Sequence, residues 1–94
     1  MTAQEHIKDI ERIVQRSSPG PNDDALQAIR KHVAHLRSAA TTTYASGKAD
    51  DILEWSEIYF STRKHQNYGG GAEQVRVWIL GACGSLEVGL RRDE

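Results

Sequence analysis

Leu26, Ile29, Val33, Leu36 and Ala40 recur at spacings of three, four, three and four. That rhythm brings an apolar side chain back to one face of a helix at every turn, so this stretch is read as an amphipathic α-helix. Asn22 caps it, and Asp23 and Asp24 sit in its first turn, where the helix dipole favours negative charge. "TTTY" then lowers helix propensity and Gly47 offers a C-terminal stop.

The same rhythm opens the chain. Ala3, Ile7, Ile10 and Val14 form a stripe, and Thr2 and Glu5 have the spacing of a capping box. "SSPGPN" ends that helix, because proline and glycine cannot continue its ladder. A third helix is expected from Asp50 and Asp51 onward. There Ile52, Leu53, Trp55, Ile58, Tyr59 and Phe60 cover more than half the circumference and call for neighbours on two sides.

The C-terminal stretch allows two readings. Val75, Val77 and Ile79 alternate as in a short strand over 75–80, whereas Val75, Trp78, Ile79, Ala82, Leu86 and Leu90 make one continuous helical face. The longer pattern is preferred. A second stripe, Val77, Gly81, Gly84 and Val88, repeats at four-three-four spacing. Glycine inside a helix costs about 1 kcal/mol relative to alanine, so either another backbone approaches closely there or the two glycines break the helix at 81–84 and leave a short tail helix. The expected fold is therefore all-α: one compact four-helix bundle-like domain over 1–94, with helices near 3–17, 23–46, 50–66 and 72–90. The alternative is an α+β fold with the strand at 75–80. The surplus apolar surface points to a homodimer through Val77, Gly81, Gly84 and Val88 with help from the third helix; an intimately packed monomer with a central last helix would also consume it.

Composition narrows the class of partner. Twelve basic and 13 acidic residues leave a net charge of −1, which gives no global attraction to nucleic acid or anionic membrane. A lone cysteine, Cys83, forms no internal disulfide and lies on the apolar face of the last helix, where it reads as core. The N-terminus is charged from the start and no apolar run reaches membrane-spanning length, so a cytoplasmic location without a membrane partner is expected.

"TRKHQNYGGG", from Thr62 to Gly71, is the most distinctive local stretch. Its cations suit the last turn of a helix and its glycines suit a left-handed turn beyond it. Tyr68 and Asn67 are left over by that account. Arg63, Lys64, His65, Asn67 and Tyr68 are therefore the expected partner-binding residues, a basic-aromatic loop able to enter a pocket of another protein. Arg30, Lys31 and Arg37, with Arg63 and Lys64, form the alternative, a nucleic-acid contact. His32 and His35 lack a Cys or carboxylate companion at ligand spacing, so neither a metal nor another cofactor is expected.

"RKHVAH", from Arg30 to His35, resembles the R-x4-H motif of HEPN-domain ribonucleases over six of the 94 residues. The resemblance implies a helical, usually dimeric protein in which Arg30 and His35 line an RNA-cleaving site shared between two chains. Lys31 departs from the pattern, which has a small polar residue or His after its Arg. Residues five apart also sit about 140° round a straight helix from one another. The preferred expectation is a small non-enzymatic regulator or inhibitor that binds a larger protein or nucleoprotein complex. A phage or mobile-element accessory protein with an anti-defence role fits that size and composition.

Overall fold

The chain is described by a computed structural model covering residues 1–92, the side chain of Arg92 excepted. Four helices, α1 (Ala3–Arg16), α2 (Asp23–Ala39), α3 (Thr43–Tyr59) and α4 (Gly71–Arg92), are joined by short connections, with a 3-10 turn at Lys64–Asn67. The all-α expectation is met, and 75–80 is helix, not strand.

α1 begins as its capping box requires. Glu5 N–H donates to Thr2 Oγ1 at 3.2 Å, and Thr2 N–H donates back to Glu5 Oε1 at 3.4 Å. Ile7, Ile10 and Val14 are fully buried along its stripe. Asn22 caps α2 through its side-chain oxygen on Ala25 N–H. Each helix packs against two others in the closed order α1–α2–α3–α4, and Ile29, Val33, Leu36, Ile52, Ile79 and Leu86 fill the space between them.

Three boundaries differ from expectation. α2 stops at Ala39, not 46, because Ala40 turns extended and caps the helix with its own N–H on Leu36 and Arg37 carbonyls. Thr42 then caps α3 by accepting from Ala45 N–H at 3.1 Å. α3 therefore begins seven residues before Asp50, and Gly47 lies inside it. Asp50 and Asp51 are mid-helix residues that pair with Arg37 at 3.2 Å and Lys48 at 3.9 Å.

α3 also ends early, at Tyr59, so Arg63, Lys64 and His65 do not occupy its last turn. The glycines serve the start of α4. Gly70 (φ 90°) and Gly71 (φ 63°) take left-handed backbone, and Gly71 N–H closes a turn on Tyr68 carbonyl at 2.9 Å.

One part-buried polar junction ties the connection after α1 to the helices. Tyr59, fully buried, donates its hydroxyl to Ser17 carbonyl at 2.9 Å. Arg76 Nε donates to the same hydroxyl at 3.1 Å, and its terminal nitrogen reaches Ser17 carbonyl at 3.3 Å. Gly20 N–H bonds Tyr59 carbonyl at 3.0 Å. The connection after α1 is thereby fastened to α3 and α4.

Candidate interaction surface

α4 buries one face and leaves the other bare. Val75, Ile79, Cys83 and Leu86 are fully buried. Opposite them, Val77 is 57% and Val88 49% exposed, with Gly81 and Gly84 exposed between them. At about 100° per residue the four lie within an arc of about 60°. A Cβ on Gly81 or Gly84 would meet no atom within 4 Å. The close approach expected at these glycines is thus not made within the chain.

Beside that stripe stands a three-ring cluster. Trp55 of α3 lies 4.7 Å from Trp78 of α4 between ring centroids, and Tyr68 meets them edge-on at 5.5 and 5.7 Å. All three are half-buried and pack against the core. Tyr68 reaches them because the turn at Lys64–Asn67 lays the segment between α3 and α4 back against both helices. A shallow groove of about 400 Å³ joins the two tryptophans to the stripe, with Trp55, Trp78, Val77 and Gly81 in its walls.

The expected partner-binding residues divide. Arg63, Lys64 and Asn67 are exposed, and Tyr68 is half-exposed in the aromatic trio. His65 is buried at 8% exposure, and its Nδ1 has no hydrogen-bond partner among the described residues. It is thus buried, unlike the other four residues of the expected contact set. The cations on α2 divide as well. Arg30 faces Glu57 at 3.9 Å and Arg37 faces Asp50 at 3.2 Å, so α3 supplies opposing charge to both. Lys31 is exposed on another face.

Arg30 and His35 are not brought together within the chain. Arg30 turns toward α3, whereas His35 stacks on His6 of α1 with ring centroids 4.6 Å apart. The helix places them on different flanks, as a five-residue separation requires.

Sequence reasoning missed the companion that makes His32 and His35 unusual. His6 is buried beneath them, with its Nδ1 2.8 Å from His32 Nδ1. Asp9 Oδ2 lies 3.8 Å from His32 Nε2. Burial lowers the His6 pKa from the usual 6.5. His35, His32 and the N-terminal amine push in the same direction, and Asp9 opposes them. Its position on the α1 stripe side, one residue before Ile7, was the available signal. Among the described residues no group of three or more His, Cys, Asp or Glu side chains is arranged to hold a metal ion. Burial pushes the Cys83 thiol up to about 12, which keeps it protonated and inert.

No family model, curated protein or solved structure matches the chain. Among the described residues no helix is long and apolar enough to cross a membrane.

Proposed function

We propose that the protein is a small regulator or inhibitor that acts by binding a larger protein through the surface shared by α3, α4 and the segment 63–68. The observation that carries this reading is the half-exposed Trp55–Tyr68–Trp78 cluster beside the bare Val77–Val88 stripe. Half-buried tryptophan and tyrosine are rigid, amphipathic anchors that lose little entropy on binding, and such residues dominate protein interfaces. Arg63, Lys64 and Asn67 supply a polar rim next to them.

The stripe suits a second copy of the chain. Val77, Gly81, Gly84 and Val88 read alike in both directions, in residue type and in spacing. An antiparallel two-fold pairing of α4 places Gly81 against Gly84 of the other copy and Val77 against Val88. Such a contact is isologous, and the glycines let the backbones approach. Glu73 and Arg91 flank the stripe toward its two ends, each paired within the chain, with Arg76 at 2.9 Å and with Glu87 at 2.7 Å. The trio beside the stripe is then displayed twice.

The test is a tagged pull-down from lysate at moderate salt, with and without nuclease, using the full chain and Tyr68→Ala. A stoichiometric protein retained after nuclease by the unmodified chain, and lost with Tyr68→Ala, is expected. Recovery of nucleic acid alone, or loss of every protein on nuclease treatment, would overturn the reading. That result would favour the exposed cations Lys31, Arg63 and Lys64, and binding would then fall steeply with salt.

A further inference from the structure

His6, His32 and His35 bring three imidazoles to the seam between α1 and α2, away from the proposed interaction surface. Neighbouring histidines differ from other ring clusters because each accepts a proton near neutral pH. The bond between His6 Nδ1 and His32 Nδ1, at 2.8 Å, holds one hydrogen between two nitrogens. One nitrogen must carry it and the other must be bare. Asp9 beside His32 Nε2 favours a hydrogen there, which leaves His32 Nδ1 as acceptor and His6 Nδ1–H as donor.

A single extra proton on His6 Nε2 leaves that bond intact. A second, on His32 Nδ1, sets one N–H against another across the same gap. His35 stacks 4.6 Å from the His6 ring, so a charge on it adds to the repulsion. We propose that His6, His32 and His35 form a proton-operated latch, closed on the α1–α2 seam while the imidazoles are neutral and opened by acid.

The surrounding charges are mixed. From α1, Asp9 favours protonation, but Arg12 shares its carboxylate at 2.9 Å. From α2, Lys31 opposes protonation and Asp23 and Asp24 favour it, all three lining the same open groove of about 740 Å³. The chain start adds the Met1 amine, which opposes it. Burial is the largest of the causes that lower the His6 pKa, followed by His35, His32 and the N-terminal amine, with Asp9 opposing them.

The sign follows from linkage. A His6 pKa held below 6.5 in the folded chain makes the unfolded chain bind more protons as pH falls past that value. The stability lent by neutral His6 is present above 6.5 and is lost as pH falls toward the depressed folded pKa. Each excess proton steepens unfolding by up to about tenfold per pH unit.

The experiment measures urea unfolding from about pH 8 to about pH 5 for the unmodified chain and for His6→Phe, which keeps a ring but cannot titrate. Amide-exchange protection and imidazole NMR titrations on the unmodified chain accompany it. Below 6.5 the unmodified chain should lose stability more steeply than His6→Phe. Amides of residues 3–10 should lose protection before those of α3 and α4, and the His6 midpoint should lie below 6.5. Parallel pH profiles, uniform loss of protection, or a His6 midpoint at or above 6.5 would overturn the latch. If His6→Phe fails to fold, the NMR titration and exchange on the unmodified chain decide the matter alone.

Discussion

Tyr59 shows how much one side chain can hold at the scale of a residue. Its ring is fully buried and meets Phe60 edge-on at 5.0 Å, while its hydroxyl donates to Ser17 carbonyl and accepts from Arg76. Tyr59→Phe keeps the ring and strips the Arg76 guanidinium and the Ser17 carbonyl of a shared partner. Both sit in a part-buried junction where water compensates poorly. Stability should fall by about 1–2 kcal/mol, read as a lower urea midpoint with an unchanged slope. No change would mean that water takes the place of the hydroxyl. The apolar contribution of Tyr59 was legible from its place in the α3 pattern. The polar one was not, since Ser17 and Arg76 lie 42 and 17 residues away in sequence. His65 teaches the converse lesson. A run of Arg63, Lys64 and His65 reads as a cationic surface, yet a tight 3-10 turn sends one of the three inward.

Helix starts were more legible than helix ends. The capping box at Thr2 and the Asn22 cap were both visible because their chemistry is confined to a few neighbouring residues. Between α2 and α3 the same chemistry was present but overlooked. Thr42 caps a helix whose first turns contain a tyrosine and a glycine, and the apolar rhythm of α2 runs on to Ala40 without a gap. Gly47 therefore looked like a stop. Its backbone is not left-handed, and a Cβ there would meet nothing within 4 Å. Gly47→Ala should stabilise the chain by about 0.5–1 kcal/mol, seen as a raised thermal midpoint. A loss of stability would show that α3 needs the glycine after all.

The whole molecule is a flattened ring of four helices, 38 × 25 × 17 Å, in which α4 is both a wall of the core and an open face. That dual role gives the dimer proposal its test. Because Gly81 has open space above it, Gly81→Leu should leave the monomer folded, with unchanged helical circular dichroism, while abolishing the dimer in light scattering. An interface of standard size takes about 800 Å² per partner, a modest share of the 5504 Å² surface. A dimer that survives the substitution would show that α4 is not the contact. The charged residues of α2 illustrate a further property of scale. Arg30 and Arg37 looked like a basic strip in isolation, and only the packing of α3 against α2 brought Glu57 and Asp50 opposite them.

The sequence by itself determined four amphipathic segments, the caps that begin the first two, the apolar face of α4 and the burial of Cys83. All of these follow from helical periodicity and capping, which act over a few residues. Tertiary structure alone decided that Gly81 and Gly84 face outward, that Tyr68 joins Trp55 and Trp78, and that His6 lies under His32 and His35. Which face of an element is covered, and by what, depends on how separate helices pack. No pattern within one helix contains that information.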